Sequence, residues 1–380
     1  MKKVLLIGIG GVFNYGCEAI IRGSVDILKR NIPGVEIYYA SYNYCYDFEK
    51  LKDCDVKVIE RKRGRMIFRR SLKKLLSFLG VKYNIPYDSL SWIRKYGFDT
   101  VLSIGGDIYT LSAKGEYNES LPRFCEKLQS MGMRYFLWGA SVGPFTANKK
   151  AERFFKNHLE KVDKIVCREE NTVKYLNSIG IYNNVVLAPD PAFFVSDNDS
   201  VTLSYEEKKY IGLNLSPLSS LHFYKNLDLA VEVQAGIISG IIKKYDKEVL
   251  LLPHVFSFNI YDNDLDFLKK VYDWLPDEYK KKTILVSEDL GFIGIKKYIR
   301  QCCSVVAARM HCAINSIACD VPAIFLSYSE KSRGMSEYVY GTDKYAIKLS
   351  DIKKLEEFDL TSLPEINRNF LCDTYGVVLE

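Results

Sequence analysis

The stretch Val4-Leu5-Leu6-Ile7-Gly8-Ile9-Gly10-Gly11 stands near the start of the chain and decides the fold. Its short apolar run is typical of a buried strand, and the glycines come where that strand ends. A helical pattern follows at about 19–30, so the segment predicts a strand, a glycine turn and a helix. Because no small-residue cleavage site follows the apolar run, we do not expect a signal peptide.

The same alternation of strand and helix patterns continues through the first half of the chain. It predicts a parallel sheet covered by helices on both faces, with ligands bound outside the carboxyl ends of the strands. The predicted strands lie at 4–9, 35–40, 56–59, 100–104, 134–138, 164–167 and 184–187, and the predicted helices at 19–30, 121–131, 149–161 and 172–178.

The second half repeats the pattern, with predicted strands at 210–215, 248–253, 283–286, 304–307 and 323–326 and a long helix at 227–244. A chain of 380 residues is longer than one typical domain. The polar stretch at 196–200 suits a linker. We therefore predict an α/β protein of two Rossmann-like, doubly wound domains, 1–198 and 199–380, with a cleft between them. The pattern leaves open that the final helices pack back on the N-terminal domain.

Composition narrows the class of protein. No apolar stretch approaches the roughly 20 residues of a membrane-spanning helix. The ten cysteines are scattered without a CxxC pair, and the four histidines show no HExxH spacing. We therefore expect a cytoplasmic protein with reduced cysteines, no metal site and no cofactor.

The segment 61–79 is basic and amphipathic at helical spacing. One interpretation is a surface helix packed on its own domain. The other is a helix that lies on an anionic membrane surface, which would place the protein at the inner face of the membrane. Nucleic-acid binding is disfavoured, because aromatic residues do not interleave with the basic ones as on a stacking platform.

Glycines mark three strand ends in the predicted first domain, and together they indicate a binding site. The first turn is not a dinucleotide fingerprint, because Phe13 stands where a third small residue belongs, and an ordinary turn is the alternative. Asp107 suits either a base or a helix cap. The glycines concerned are Gly10, Gly11, Gly16, Gly105, Gly106 and Gly143.

Cations follow other predicted strands. Arg168 comes directly after 164–167, where it can bind an anion or form an ion pair with Glu169 or Glu170. Arg309 and His311 lie between a strand and a helix start, a place that favours anions. With Lys331 further on, these cations suit a ligand that carries separate phosphate and carboxylate groups.

In these motifs the chain resembles the polysaccharide pyruvyl transferase family, and the motifs occur in family order along nearly the whole chain. The resemblance rests on Asn14-Tyr15-Gly16 with Glu18-Ala19, Gly105-Gly106, Ser141-Val142-Gly143-Pro144, Arg168-Glu169, Asp190-Pro191, Arg309-Met310-His311, and Tyr328 with Lys331. It implies a GT-B-like pair of domains and transfer of pyruvate from phosphoenolpyruvate to two hydroxyls of a sugar, forming a cyclic ketal. Three positions depart from the family pattern: Cys17, Asp107 and Cys312 stand where the family often has Asp, Gly and Gly.

The resemblance also implies roles for single residues. We expect His311 to act as general acid or base with Arg309, and Arg168, Arg309 and Lys331 to bind the donor. Asn14, Glu18 and Asp107 are acceptor-side candidates. The expected acceptor is a hexose such as galactose in a lipid-linked oligosaccharide of surface or capsular polysaccharide. Two alternatives stay open: a nucleotide-sugar-dependent GT-B glycosyltransferase, and a non-catalytic sugar- or anion-binding relative.

Overall fold

A computed structural model of the chain describes residues 1–61, 91–112, 114–197, 207–327, 330–364, 366, 368–372 and 374–379. The chain divides into two compact units: unit 1 comprises Met1–Gly11, Ser24–Asp190 and Asp373–Glu380, and unit 2 comprises Val12–Gly23 and Pro191–Cys372. The sequence analysis placed a single boundary at 198 and kept 12–23 in the first domain. The structure differs because Tyr15 and Ala19 pack into an apolar core of unit 2.

Unit 1 contains a seven-stranded sheet in which every pair of neighbours is parallel. The strand order is β3-β2-β1-β4-β5-β6-β7. All seven strands were predicted, because buried parallel strands form short continuous apolar runs. They are β1 Lys3–Ile7, β2 Glu36–Ser41, β3 Lys57–Glu60, β4 Thr100–Ile104, β5 Arg134–Ala140, β6 Lys164–Cys167 and β7 Val185–Leu187.

The helices of unit 1 cover this sheet. They are the second part of α1 (Tyr15–Asn31), α2 Tyr44–Lys50, α3 Ser91–Tyr96, α4 Ser120–Gln129, α5 Lys149–Leu159, α6 Glu170–Ser178 and the last helix of the chain, Tyr375–Leu379. That last helix is seated by Tyr375, whose ring lies 4.8 Å from Trp138 and whose hydroxyl donates to the Pro189 carbonyl. Apolar side chains of alternating strand positions form the core beneath the helices.

Unit 2 contains a six-stranded parallel sheet of order β10-β9-β8-β11-β12-β13. Five of these strands were predicted. The sixth, β13, was missed because three residues at a sheet edge carry too little pattern. The strands are β8 Tyr210–Asn214, β9 Glu248–Leu251, β10 Thr283–Leu285, β11 Cys302–Ala307, β12 Ala323–Ser327 and β13 Ala346–Lys348.

Helices pack on both faces of the second sheet, since neighbouring residues of β11 belong to different cores: Val305 and Ala307 to one, Val306 to the other. In chain order the helices are α7 Pro217–Tyr224, α8 Leu227–Tyr245, α9 Asp264–Trp274, α10 Asp277–Lys280, α11 Gly291–Gly294, α12 Lys296–Ile299, α13 Met310–Ala318 and α14 Glu330–Tyr340. The last helix of the chain, Tyr375–Leu379 in unit 1, is α15. Short 3₁₀ helices lie at Pro191–Phe194, Ile260–Asp262, Asp343–Tyr345, Leu349–Glu357 and Arg368–Leu371.

Both sheets therefore have the same Rossmann order, 3-2-1-4-5-6 when the strands of each are counted from its first, with a seventh strand added in unit 1. In such sheets ligands bind at the switch point between the first and fourth strands. The switch points are the ends of β1 and β4 in unit 1 and of β8 and β11 in unit 2. In the part of the chain that the structure describes, no helix is long and apolar enough to span a bilayer.

Candidate active site

The switch point of unit 2 carries Arg309. Its backbone N–H donates to Asn214 Oδ1 at 2.8 Å, which joins the ends of β11 and β8. Its guanidinium bonds two carboxylates: Nε and Nη2 reach Asp264 at 3.1 and 2.8 Å, and Nη2 reaches Asp262 at 2.7 Å. We call Asn214, Asp262, Asp264 and Arg309 the Arg309 cluster.

The Arg309 cluster is charged and largely buried. Asp264 is fully buried, whereas the Arg309 side chain is 14% exposed. Burial acts to lower the pKa of Arg309, but the charges of Asp264 and Asp262 outweigh it and raise that pKa above its usual value. Arg309 Nη1 makes no hydrogen bond with any described residue, so one arm of the guanidinium is left for a ligand.

His311 lies at the first turn of α13, two residues beyond Arg309, and packs against the start of α1. A Cβ atom added to Gly16 would lie 2.5 Å from His311 Nδ1 and 2.7 Å from its Cγ. Real Cβ atoms do not come so close to a ring. Gly16 is therefore needed to seat the His311 imidazole.

The segment at 13–15 pairs with the chain beyond β9 inside unit 2. Tyr15 N–H donates to the His254 carbonyl at 3.0 Å, and Phe256 N–H donates to the Phe13 carbonyl at 2.9 Å. Asn14 faces Val255 in an antiparallel bridge between them. The side-chain oxygen of Asn14 accepts the Gly16 N–H at 2.9 Å, as a helix cap does.

Tyr15 and His254 fill the space behind this pairing. The Tyr15 hydroxyl donates to Asp289 Oδ1 at 2.9 Å. Burial, together with the charge of Asp289, raises the pKa of Tyr15 above its usual value, so the phenol stays protonated. The His254 ring stands edge-on to Tyr15 with 5.4 Å between centroids. Burial, with the charges of His311 and Arg309, lowers the pKa of His254 to about 3.

Glu18, one turn further along α1, is also part of unit 2. Its Oε2 accepts the Phe292 N–H at 2.8 Å, and its Oε1 accepts from Arg22 Nε at 2.8 Å. Gly291 has a φ of +73° and lies against this carboxylate, since a Cβ there would be 3.0 Å from Oε2. Both oxygens of Glu18 are thus occupied: Oε2 attaches α1 to the start of α11, and Oε1 pairs with Arg22 within α1.

The sequence analysis assigned Asn14 and Glu18 to the first domain. The structure places them in unit 2. His311 packs on Gly16, which lies between them in the sequence. Position along the chain was a poor guide here, because helix α1 begins in one unit and ends in the other.

Unit 1 has its own arginine cluster beyond β6, formed by Gly106, Asp107, Ser141, Arg168 and Asp190. Arg168 is fully buried and donates from Nε to Ser141 Oγ at 3.0 Å, from Nη1 to Asp190 at 2.9 Å and from Nη2 to Asp107 at 3.4 Å. Burial acts to lower its pKa, but the charges of Asp190 and Asp107 raise it. The ion pairs are thus with Asp190 and Asp107 and not with Glu169 or Glu170, the partners considered from sequence.

Arg168 leaves no room for a side chain at Gly106, since a Cβ there would lie 2.5 Å from Arg168 Cζ. Gly11 and Gly105, with φ of +154° and +119°, turn the chain at the ends of β1 and β4. Gly143, with φ of +70°, packs against the Tyr175 ring. A Cβ on Gly10 would meet no atom within 4 Å, so that position has open space beside it.

Two predicted features fall partly or wholly outside the described residues. Lys331 belongs to helix α14, but its side chain is not described. Of the basic segment 61–79, only Arg61 is described. It is buried and stacks on the Tyr42 ring with 4.4 Å from Cζ to the centroid.

Sequence reasoning missed four residues that the structure brings to the site in unit 2: Tyr15, His254, Asp262 and Asp264. A signal was present, because His254 follows predicted strand 248–253 directly and the two aspartates come shortly after it. Polar residues just beyond a buried strand are candidates for a ligand site.

Solved structures show how widely the fold is shared. The chain superposes on a UDP-GlcNAc 2-epimerase from Methanocaldococcus jannaschii with a TM-score of 0.57, 16% identity and coverage of 99% of this chain and 97% of that one. It also superposes on Alr3699/HepE of Anabaena, solved with UDP and glucose, with a TM-score of 0.53, 10% identity and coverage of 100% and 94%. These similarities confirm the fold class, a pair of Rossmann-like α/β domains.

Sequence comparison places the chain more narrowly. A family model described as polysaccharide pyruvyl transferase matches residues 14–330, and the chain belongs to that family. Amylovoran biosynthesis protein AmsJ of Erwinia amylovora is 23% identical over 377 residues, which cover 88% of this chain and 85% of that protein. The family resemblance predicted from the motifs is thereby confirmed.

Proposed function

We propose that this protein transfers the pyruvyl group of phosphoenolpyruvate to two hydroxyls of one sugar during exopolysaccharide synthesis and closes them into a cyclic ketal. Family membership and the similarity to an amylovoran biosynthesis protein support this role. The observation that carries it is the pair Arg309 and His311 at the switch point of unit 2: Nη1 of a permanently charged arginine bonds no described residue, and the histidine follows two residues later at the start of α13.

Arg309 suits the anionic donor. Asp262 and Asp264 fix two of its nitrogens, so the guanidinium is already oriented before a ligand arrives. Nη1 offers its N–H groups to a carboxylate or phosphate oxygen. The N-terminus of α13, which starts at Met310, adds the partial positive charge of its backbone dipole.

The proposed reaction is balanced in protons and bonds. A proton added to C3 of phosphoenolpyruvate makes a methyl group and leaves C2 electrophilic. One sugar hydroxyl then forms a bond to C2 and releases its proton. The second hydroxyl forms the other C2–O bond as the bond from C2 to the phosphate oxygen breaks, and its proton goes to the phosphate, which leaves as hydrogen phosphate. His311 is the residue we assign to proton transfer.

The other predicted site residues differ in how they could contact the substrates. Arg168 has a partner on each guanidinium nitrogen, so any contact with the donor would be an additional one. On the acceptor side, Asn14 Nδ2 donates to no described residue and Asp107 is 57% exposed, so both are accessible to a sugar. Glu18 has both oxygens occupied and we propose a positioning role for it.

The test is to incubate the protein with phosphoenolpyruvate and a range of galactosides and lipid-linked oligosaccharides, measuring phosphate release and seeking the pyruvyl ketal by mass spectrometry. We expect both products with the unchanged protein and neither with His311→Ala. His222→Ala, at an exposed histidine of α7, is the matched control and should retain activity. Normal turnover by His311→Ala would refute the assignment.

A nucleotide-sugar transferase is the competing activity, because a similarly folded protein, HepE, was solved with UDP and glucose. Thermal unfolding separates the two, since a ligand that binds the native state raises the melting temperature. We expect stabilisation by phosphoenolpyruvate and none by UDP-sugars. The reverse result would favour the glycosyltransferase, and phosphate release excludes a non-catalytic binding protein.

We also propose that the acceptor is carried on a lipid and that the basic segment 61–79 attaches the protein to an anionic membrane surface. Each cation near such a surface contributes about 1 kcal/mol. Co-sedimentation with phosphatidylglycerol vesicles should fall when Arg69 and Arg70 are replaced by Gln. Equal sedimentation with neutral vesicles would argue for a surface helix on its own domain instead.

A further inference from the structure

His254 is a buried residue of unit 2 for which both polar side-chain atoms lack a hydrogen-bond partner among the described residues. Only 1% of it is exposed, and neither ring nitrogen makes a hydrogen bond with any described residue. The Pro253 carbonyl is near enough to favour a charged ring, but it does not accept a bond of normal geometry. Buried polar groups in native proteins nearly always have partners, so an exception calls for a reason.

The backbone of His254 is held firmly. Its N–H donates to Asp264 Oδ2 at 3.1 Å, and its carbonyl accepts the Tyr15 N–H at 3.0 Å. Asp264 is the same carboxylate that binds Arg309, so His254 and Arg309 are fixed by one group. Any residue has these two backbone groups, and the fold therefore does not require an imidazole here.

The ring packs as an aromatic side chain, edge-on to Tyr15. Phenylalanine would make that contact equally well and would bury no unpartnered nitrogen. Burial, with the nearby charges of His311 and Arg309, lowers the pKa of His254 and so favours the neutral ring. A neutral imidazole carries one N–H donor and one acceptor nitrogen. His254 thus shares Asp264 with the arginine of the proposed donor site, and its ring nitrogens bond no described residue.

We propose that His254 is a second substrate-binding histidine, whose neutral ring donates an N–H to an anionic oxygen of phosphoenolpyruvate when that donor binds. This inference rests on the proposed function. Its chemistry differs from that of His311, because a ring that stays neutral donates a hydrogen bond without gaining or losing a proton. Neither ring nitrogen bonds a described residue, and the donor would supply a partner for one of them.

The ring-conserving variant His254→Phe tests the proposal. Because it removes the unpartnered nitrogens and keeps the contact with Tyr15, we expect a melting temperature equal to or above that of the unchanged protein. We expect the dissociation constant for phosphoenolpyruvate to rise about tenfold or more, as for the loss of a hydrogen bond to a charged group. His254→Asn and His254→Gln each return one amide N–H, near the place of Nδ1 or of Nε2. Partial recovery in one of them identifies the donating nitrogen.

A spectroscopic readout makes the test independent of turnover. The chain has four histidines, so ¹⁵N labelling gives ring signals from four residues with two nitrogens each, and the pair lost in His254→Phe belongs to His254. Phosphoenolpyruvate should shift a signal of that pair. Pyruvate and inorganic phosphate, added separately, tell whether the carboxylate or the phosphate oxygen accepts the bond.

The outcomes separate the two proposals. If phosphoenolpyruvate shifts the His311 signal but not that of His254, or if His254→Phe binds the donor normally, the role of His254 is refuted and the proposed function stands. A loss of melting temperature in His254→Phe without a ligand-induced shift would show a structural histidine. If the unchanged protein neither binds nor converts phosphoenolpyruvate, the proposed function fails and this inference fails with it.

Discussion

Arg168 in unit 1 and Arg309 in unit 2 both lie beyond the carboxyl end of a parallel strand, Arg168 after β6 near the sheet edge and Arg309 after β11 at the switch point. Each is bound by a fully buried aspartate, Asp190 or Asp264. The two arginines differ in how many guanidinium nitrogens are left to bind a ligand. All three nitrogens of Arg168 are bonded, whereas Nη1 of Arg309 is not bonded to any described residue.

This difference separates an arginine that joins loops from one that can also bind a ligand. Arg168 connects the segments after β4, β5 and β7 through Asp107, Ser141 and Asp190, which suits a structural role. Arg309 has a histidine two residues later and a second histidine fixed by the same aspartate. Two arginines beyond strand ends thus differ in their bonding, and their position after an apolar run in the sequence does not distinguish them.

The largest effect should come from removing either arginine, because each loss leaves a buried carboxylate without its cation. We expect Arg168→Ala and Arg309→Ala each to lower the free energy of unfolding by about 3–5 kcal/mol, measured by urea denaturation. Arg333→Ala, which breaks an exposed pair with Asp343, is the control and should cost at most about 1 kcal/mol.

Double variants sharpen this first comparison. Arg168→Met with Asp190→Asn, and Arg309→Met with Asp264→Asn, remove the charge of both partners and should each recover part of the stability. Only the pair at 168 should recover phosphoenolpyruvate-dependent phosphate release. Recovery by the pair at 309 as well would show that Arg309 is no more than a structural cation.

The next effect concerns catalysis with the charge retained. Lysine keeps a cation but lacks the fork that contacts two carboxylates and a ligand together. We expect Arg309→Lys to lower kcat/KM for phosphoenolpyruvate by about 10²–10³-fold, as for loss of one oriented donor. Arg168→Lys should lower it much less. Equal losses at both positions would contradict the distinction drawn here.

Much of this molecule could be predicted from its sequence, and the failures have physical reasons. Buried parallel strands are continuous apolar runs, so twelve predicted strands are present. The place of Arg309 and His311 between a strand and a helix start was predicted because strand ends are visible in sequence. Asn14 and Glu18 lie in unit 2 and not with the rest of the predicted first domain, because packing, and not chain order, decides which core the first turns of α1 join. His254 and Asp264 were missed because their bonds join residues far apart in sequence.

Two glycines contact side chains of the two sites compared here: Gly106 packs against Arg168, and Gly16 packs against His311. An added methyl at Gly106 would meet the Arg168 guanidinium, and one at Gly16 would meet the His311 ring. We expect Gly106→Ala mainly to lower the melting temperature, because it displaces a buried ion pair. Gly16→Ala should lower kcat about 10–100-fold, because a small misplacement of a catalytic group has effects of that size. Gly240→Ala, with no atom within 4 Å of the new methyl, is the control.

The smallest effect is a pH dependence that belongs to unit 2. A histidine has a pKa near 6.5 when unfolded, but burial and the charges of His311 and Arg309 lower the pKa of His254 to about 3. Between these values the unfolded chain binds a proton that the folded chain does not, so stability falls as the pH falls through this window. Compared with His254→Phe, the unchanged protein should lose about 1.4 kcal/mol more for each pH unit between about 6 and 4, measured by urea denaturation. Parallel curves of stability against pH for the two proteins would mean that the His254 ring is not held neutral. The contrast between the unbonded ring nitrogens of His254 and the fully bonded guanidinium of Arg168 would then not hold.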